Sequence, residues 1–353
     1  MHAQQQPTWR NLEADAAAKA EGGTLVVYSS INEQEALPVW QYFEQATGIK
    51  VSYVRGSDTS LIGRVLIEHR AQQRAWDLML STGTGRLPPE TLAPFEPAEA
   101  GAFHASAKDP AKRWYGVHAT YNAPSYNTKN VRADELTRRY EDFLERPQWA
   151  GRCAIDTTDS QWLMGMIQQY GEPQARKLLG EIRAALKPVL TEGHLNLARQ
   201  LAAGEYLVAL NNYISLTTNV KEAGGATDFW LLDPVVLFFE QLGISVRAPH
   251  PKTALYAANF LMSLDGQTRT TRWGRAPIRR DVTPIPADLF ARLDKHKIIP
   301  VTPSTEEDRK YRRVFDEIDA LRRHDVLDFK RPVRMSHFAG SFGADDEIGR
   351  AHV

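Results

Sequence analysis

The chain has 353 residues, of which 42% are hydrophobic and 24% are charged, as is usual for a soluble globular protein. Lys and Arg together number 43, as do Asp and Glu, so the zero net charge gives no sign of nucleic-acid or anionic-membrane binding. The length corresponds to about two domains of ~150 residues. The single cysteine, Cys153, excludes an intrachain disulfide, and no apolar run approaches the ~18 residues of a membrane-spanning helix.

The chain begins with Met1, His2, Ala3 and Gln4, in which a small residue precedes glutamine. This pattern remains after a secretory leader is cleaved at an A-x-A site, so we expect a mature form whose leader has been removed. A native cytoplasmic start is the alternative. The Gln- and Ala-rich residues 4–22 predict a short helix or a loose arm.

The segment from residue 23 to residue 84 predicts three strands, each of which ends in small hydroxyl or glycine residues. The strands cover residues 25–28, 49–54 and 76–80, and helices connect them. The candidate ligand contacts after these strands are Ser29, Ser30, Asn32, Ser57, Ser81, Thr82 and Gly83. The carboxyl ends of strands in an open parallel sheet share one edge, where ligands bind. Because helix N-termini at that edge offer free N–H groups to an anion, the pattern predicts a cleft for a negatively charged solute.

The second half of the chain repeats this order of elements. A Pro-rich loop at 87–97 and an extended crossover at 114–127 precede it. A charged helix is predicted over residues 131–148. A strand at 153–155 then runs into polar residues and an amphipathic helix at 162–170. The repetition of strand, polar cluster and helix predicts a second α/β lobe.

The polar residues after the strand at 153–155 predict the opposite side of the cleft. Thr157, Thr158 and Ser160 offer hydroxyl groups beside a helix N-terminus. The nearby Asp156 and Asp159 would bind an amine or cap the helix, so a zwitterionic solute would use both sets of groups. Ordinary helix capping is the alternative for the Ser, Thr and Asn candidates on both sides.

Tyr213 is the strongest single candidate for ligand contact. It follows the predicted strand at 206–210, and its alternative is a half-buried aromatic residue whose hydroxyl is satisfied locally. The apolar run at 234–247 is too short to span a membrane and predicts core. The Arg-rich stretch at 269–280 predicts a solvated or salt-bridged face. Further helices are predicted at 173–187, 195–203, 215–223, 252–264 and 305–327.

Four passages carry a family resemblance. They are LVVYSSINEQEALPVWQYFEQATGIKVSYVRGS, SYNTK at 125–129, GEYLVALNNYISL, and APHPKTALYAANFLMSLDGQ. In this order they resemble periplasmic solute-binding proteins of ABC importers, in the ferric-ion-binding-protein-like group. The resemblance covers roughly residues 23–285. It implies a periplasmic-binding-protein-like α/β fold with two lobes, each a mixed sheet flanked by helices, that close about a hinge on a solute.

The resemblance also implies a domain organisation and partners. It assigns residues 23–122 and 241–300 to lobe 1, 123–240 to lobe 2, 301–334 to a C-terminal helical segment on lobe 2, and 335–353 to a flexible tail. The implied protein is a periplasmic monomer that hands a small-molecule solute to a membrane permease. It needs no cofactor, binds no nucleic acid and catalyses no reaction, and the sequence contains no HExxH, paired CxxC or GxSxG motif.

Iron-binding members of this group supply a histidine after the first strand, a glutamate after the third and a Tyr-Tyr pair. This chain has Asn32, Thr82 and Ile214 there instead. Because Fe³⁺ prefers anionic oxygen ligands, the sequence predicts no bound metal and a small anionic or zwitterionic solute, namely a phosphonate, phosphate ester or carboxylate. Ferric iron is the first alternative, and an enzyme acting on a small phospho-compound is the second. A sensor domain for a membrane receptor is a third possibility that the sequence leaves open.

Overall fold

The computed structural model describes residues 9–103, 105–272, 275–302 and 304–324. The predicted tail at 335–353 lies outside the described residues. Within them, eleven strands join one mixed sheet that is flanked by eleven α-helices. A helix with the length and apolarity needed to cross a membrane is absent from this part of the chain.

The helices and strands alternate through most of the chain. The strands are β1 (Thr24–Ser29), β2 (Lys50–Arg55), β3 (Leu78–Ser81), β4 (Leu92–Ala93), β5 (Trp114–Asn127), β6 (Cys153–Asp156), β7 (Val189–Thr191), β8 (Val208–Tyr213), β9 (Thr227–Phe229), β10 (Val235–Ser245) and β11 (Ile298–Pro300). The helices are α1 (Leu12–Lys19), α2 (Glu33–Thr47), α3 (Asp58–Arg70), α4 (Ser160–Tyr170), α5 (Glu172–Leu186), α6 (His194–Ala203), α7 (Ile214–Glu222), α8 (Pro251–Met262), α9 (Leu264–Arg272), α10 (Leu289–Leu293) and α11 (Thr305–His324).

The sheet consists of two parallel halves joined by two long antiparallel strands. The strand order is β2-β1-β3-β10-β5-β8-β6-β7, with β4 and β11 paired to β10 and β9 paired to β5. Strand β1 runs parallel to β2 and β3, and β6 runs parallel to β7 and β8. We call the half around β1–β3 lobe 1 and the half around β6–β8 lobe 2. Strands β5 and β10 connect the lobes, and the predicted residue limits of the lobes stay predictions.

Each lobe has its own hydrophobic core. In lobe 1, Phe43 of α2 and Phe260 of α8 are fully buried with their ring centroids 5.3 Å apart. In lobe 2, Trp162 of α4 stacks on Phe315 of α11 at a centroid distance of 6.2 Å. Full burial of an apolar side chain of this size contributes roughly 1.5–3 kcal/mol. The cores therefore hold the helices against the two halves of the sheet and fix the strand ends that face each other.

The predicted strands and helices around the cleft are present, but the predicted helix at 131–148 is wrong. Only short 3₁₀ turns form at Ala133–Glu135, Glu141–Glu145 and Pro147–Trp149. The carboxylate of Asp142 accepts hydrogen bonds from the backbone N–H groups of Arg138 and Arg139, both at 3.1 Å. Such side-chain acceptors compete with a continuous helix, so the charged residues here cap turns instead.

Candidate functional site

The end of β1 places a serine hydroxyl against a buried carboxylate. Ser30 Oγ donates to Glu240 Oε1 at 2.9 Å, and Glu240 lies in β10 with 3% of its surface exposed. Ser29 is fully buried, and its Oγ accepts from the Ile31 N–H at 3.1 Å, so it supports the local turn. Asn32 Oδ1 accepts from Arg55 Nη2 at 3.3 Å at the N-terminus of α2.

The predicted residues after β3 converge on one carboxylate. Ser81 Oγ donates to Asp58 Oδ1, and Thr82 Oγ1 donates to Asp58 Oδ2 at 2.5 Å. The Gly83 N–H donates to Ser81 Oγ at 3.0 Å. Ser57 instead caps α3, because its Oγ accepts from the Ser60 N–H at 3.2 Å. We call Ser30, Asp58, Ser81, Thr82 and Glu240 the first wall.

On the lobe 2 side, most of the predicted hydroxyl groups are engaged locally. Thr158 Oγ1 donates to Asp156 Oδ1 at 2.5 Å, and Thr157 Oγ1 donates to the Thr191 carbonyl at 3.5 Å. Ser160 Oγ donates to Asp308 Oδ1. None of these three hydroxyl groups caps α4, whose N-cap is Asp159, with Oδ1 accepting from the Trp162 N–H at 2.9 Å. The contacts leave carboxylates rather than hydroxyl groups as the main polar groups here.

Two aspartates and a histidine surround the predicted Tyr213. The His194 ring stacks on the Tyr213 ring with the centroids 3.6 Å apart. His194 Nε2 lies 3.5 Å from Asp159 Oδ2 and 3.9 Å from Asp156 Oδ1, and its Nδ1 lies 3.2 Å from Asn212 Oδ1. Strand β8 delivers Tyr213, β6 delivers Asp156, and the starts of α4 and α6 bring in Asp159 and His194. We call Asp156, Asp159, His194 and Tyr213 the second wall.

Several buried polar atoms at the second wall are unsatisfied. Asp156 Oδ2, His194 Nε2, Asn122 Oδ1 and Asn212 Nδ2 have no hydrogen-bond partner among the described residues. Leaving one such group unpaired costs about 1–3 kcal/mol. The cluster therefore offers donors and acceptors that are open to a bound solute or to water.

Both walls act on the Tyr213 hydroxyl. Burial raises the pKa of Tyr213 well above its ordinary value of 10.0, and the carboxylates of Asp159, Asp156, Asp58 and Glu240 raise it further. Two of these carboxylates belong to the first wall and two to the second. Tyr213 also packs edge-on against Phe238 of β10, a strand that connects the lobes, and carboxylates of both walls contribute to its raised pKa.

Two of the carboxyl groups also have raised pKa values. Burial raises the pKa of Glu240 to about 7, although the nearby Arg275 opposes the shift. Burial raises the pKa of Asp159 to about 6, against the opposing effect of His194. The Arg275 guanidinium is itself paired, with Nη2 2.6 Å from Glu35 Oε2, and both side chains are about one-tenth exposed.

An open cavity of about 700 Å³ lies between α2 of lobe 1 and helices α6 and α7 of lobe 2. Asn32 and Glu35 line it from lobe 1, and Leu195 and Asn219 line it from lobe 2. Its size is within the range of small-molecule sites. Within the described residues, no three His, Cys, Asp or Glu side chains are arranged to hold a metal ion. A metal held between the two walls would therefore need the Tyr213 oxygen or a rearrangement of the walls.

The sequence did not single out three of these residues, Asp58, His194 and Glu240. Glu240 is the one acidic residue in the apolar run at 234–247. An acidic residue in such a run indicates a buried carboxylate that requires a partner. His194 follows Gly193 at a helix start, and Asp58 follows the predicted Ser57. Neither residue stands in a recognisable local sequence motif, because each contributes to the site through contacts with residues that are distant in the chain.

Comparison with known proteins identifies a matching family profile and several solved structures with a similar fold. A family profile described as bacterial extracellular solute-binding protein matches residues 90–268. Iron-bound HitA from Pseudomonas aeruginosa is 20% identical, with 84% of this chain and 99% of that chain covered and a TM-score of 0.71. The ferric binding protein from Campylobacter jejuni is 19% identical, with 83% and 99% covered and a TM-score of 0.70.

A third similar structure has a more general description. The substrate binding protein of the ABC transporter from Agrobacterium tumefaciens is 17% identical, with 84% of this chain and 94% of that chain covered and a TM-score of 0.72. At these identities the likeness concerns the fold. The two-lobed fold predicted from the sequence is thereby confirmed.

Proposed function

The chain belongs to the family of bacterial extracellular solute-binding proteins, and we propose that the solute it captures is ferric iron, held between the two walls at Tyr213. The observation that carries this proposal is the stacking of Tyr213 on His194, whose Nε2 lies 3.5 Å from Asp159 and 3.9 Å from Asp156, together with the raised pKa of Tyr213, to which carboxylates of both walls contribute. The solute joins carboxylates from both lobes and stabilises their closed arrangement. Binding, and not catalysis, is the proposed activity.

The charge of the walls favours a cation over an anion. At about 4 Å and an effective dielectric constant of 20, one unit charge changes the energy of another by about 4 kcal/mol. An anionic solute at Tyr213 would be repelled by the carboxylates that add to the effect of burial on the pKa of this tyrosine. The predicted phosphonate or carboxylate solute is thus less well supported than the alternative.

Fe³⁺ suits the oxygen-rich walls. It is a hard cation for which phenolate and carboxylate oxygens are good ligands. Its charge would offset the repulsion among the carboxylates and favour loss of the Tyr213 proton, since metal ligands bind in their deprotonated form. HitA from P. aeruginosa and the C. jejuni protein, described as iron-bound and ferric-binding, share the fold.

Hinge closure would couple binding to delivery. Strands β5 and β10 are the elements that both lobes share, so they are the proposed hinge. A solute that contacts both walls binds the closed form more tightly and shifts the population towards it. We propose that this form acts in the periplasm and docks on the permease of an ABC importer.

A spectroscopic titration tests the proposal. Iron-free protein is titrated with ferric nitrilotriacetate, and a visible tyrosinate-to-iron absorption band is expected, together with a rise in Tm. At a free ligand concentration of 100 times Kd, binding adds about 2.7 kcal/mol to the free energy of unfolding. Tyr213→Phe should lose the band, whereas Tyr206→Phe, at a half-buried tyrosine of lobe 2, should retain it.

The same assay is run with methylphosphonate, glycerol phosphate and citrate. If one of these compounds raised Tm and ferric iron did not, an anionic solute would be the better assignment for the ligand of this protein. Ferric binding that is unchanged in Tyr213→Phe would also refute the proposed site.

A further inference from the structure

An ion pair joins lobe 1 to the C-terminal helix. Arg86 Nη1 lies 3.0 Å from Asp308 Oδ2, and the two side chains are only 6% and 9% exposed. Arg86 ends the 3₁₀ turn Thr84–Arg86, directly after the Ser81–Gly83 loop of the first wall. Asp308 lies in the first turn of α11, which packs against α4 and α5 of lobe 2. The pair therefore crosses from one lobe to the other.

The same carboxylate contacts Ser160, the neighbour of Asp159 in the second wall. Asp308 Oδ1 accepts from Ser160 Oγ, and Arg312 Nε lies 3.0 Å from Asp308 Oδ2. Ser160 is the first residue of α4 and follows Asp159 directly. Burial alone would raise the pKa of Asp308, but Ser160, Arg312 and Arg86 hold it below its ordinary value. Asp308 thus carries a negative charge where the two lobes meet.

The Arg86 guanidinium lies beside Gly83, next to the first wall, and has spare hydrogen-bonding capacity. A Cβ atom added to Gly83 would lie 2.8 Å from Arg86 Nη2, so the glycine makes room for the guanidinium. Arg86 Nε is buried and has no hydrogen-bond partner among the described residues. A planar guanidinium with free N–H groups suits a carboxylate or phosphate. At present the chain itself supplies that carboxylate.

We propose that Asp308 is a built-in anion of the cleft, which bridges the lobes through Arg86 and withholds this guanidinium from anionic solutes. Asp308 is thus a specificity residue that favours cations. The role of Asp308 in cation selectivity rests on the proposed function. The interlobe bridge, and the pairing of Arg86 with Asp308 rather than with a solute, do not depend on it. Removal of one member of a buried pair leaves the other charge uncompensated. Without Asp308, Arg86 therefore gains a strong preference for an anion from solution.

Inorganic phosphate is the probe, and no iron is present, so a failure of the iron proposal leaves this experiment unaffected. Calorimetry compares the parent protein with Asp308→Asn. The variant is expected to bind phosphate at least about tenfold more tightly, equivalent to about 1.4 kcal/mol. Adding Arg86→Gln to this variant should abolish the gain. Asp316→Asn, at an exposed aspartate of the same helix, is the matched control and should behave as the parent.

The bridging role is tested by solution scattering of the solute-free proteins. The radius of gyration should rise in both Asp308→Asn and Arg86→Gln, since each removes the interlobe pair, and remain unchanged in Asp316→Asn. A folded Asp308→Asn variant without tighter phosphate binding overturns the proposal. If Asp308→Asn does not fold, Arg86→Gln decides: an unchanged radius of gyration overturns the proposed bridge, and an increase supports it.

Discussion

The imidazole of His194 lies over the phenol ring of Tyr213, with the ring centroids 3.6 Å apart and the planes inclined by 24°. The same imidazole places Nε2 3.5 Å from Asp159 Oδ2. His194 therefore orients the tyrosine and also influences the carboxylate beside it. Residues from α6, β8 and the start of α4 are joined in this way at one point of the second wall.

Replacing His194 with phenylalanine should shift the pH dependence of ferric binding. Burial raises the pKa of Asp159 to about 6, and His194 opposes this rise. Without the imidazole the pKa of Asp159 should move higher, so the carboxylate ionises only at higher pH. Because a cation binds the ionised form, the midpoint of ferric affinity against pH should increase in His194→Phe, which retains an aromatic ring against Tyr213.

The control for this variant is His296→Phe. His296 pairs with Asp233 at the surface, with Nδ1 2.9 Å from Oδ1. Replacing His296 should leave the pH dependence of ferric affinity the same as in the parent protein. An identical profile for His194→Phe and the parent would show that His194 does not act through Asp159.

Glu240→Gln should remove a pH dependence of stability. Burial raises the pKa of Glu240 from an ordinary value of 4.5 to about 7 in the folded protein. The folded state therefore binds the proton more tightly, and this contribution to stability is complete below pH 4.5 and is lost as pH rises through about 7. The shift corresponds to on the order of 3 kcal/mol at most. Gln cannot ionise, so the variant should lose less stability across this pH range.

Urea unfolding of the iron-free protein between pH 4.5 and pH 8 measures this effect. Glu90→Gln, at an exposed glutamate, should retain the parent's pH dependence. If Glu240→Gln lost as much stability as the parent over this range, the raised pKa of Glu240 would not be the cause.

Local patterns in the sequence predicted the strands and helices that build the cleft. The spacing of Ala36, Val39, Trp40 and Phe43 matches the buried face of α2, and Gly48 ends that helix at a φ of 77°. Such signals act over a few residues, so one sequence reveals them. The failed helix at 131–148 has the charge of a surface helix, but its carboxylates bind nearby backbone N–H groups instead.

The chemistry of the site was harder to predict, because it depends on residues far apart in the chain. Ser81 and Thr82 were expected to meet the solute, which stays a prediction, and in the structure both donate to Asp58. Ser30 donates to Glu240, which is 210 positions away. The hydroxyl groups suggested an anion site, whereas the carboxylates that they contact make the cleft negative. Only the folded arrangement reveals that reversal.

Gly165→Ala should destabilise the protein and weaken ferric binding. Gly165 lies in α4, and a Cβ atom there would overlap Val236 Cγ2 of β10 and lie 2.9 Å from Val236 Cγ1. Overpacking of this kind typically costs about 1–3 kcal/mol. Relief of the clash would move α4 away from β10 and therefore shift Asp159, at the start of α4, relative to Glu240 of β10.

Gly180→Ala is the matched control. Gly180 lies within α5, and an added Cβ atom would meet no described atom within 4 Å. Alanine is favoured over glycine inside a helix by roughly 0.5–1 kcal/mol, so this variant should gain stability. Urea unfolding and ferric titration are measured for both variants. A destabilised Gly165→Ala protein with parental ferric affinity would show that the close contact of α4 with β10 supports the fold and does not set the distance between the walls.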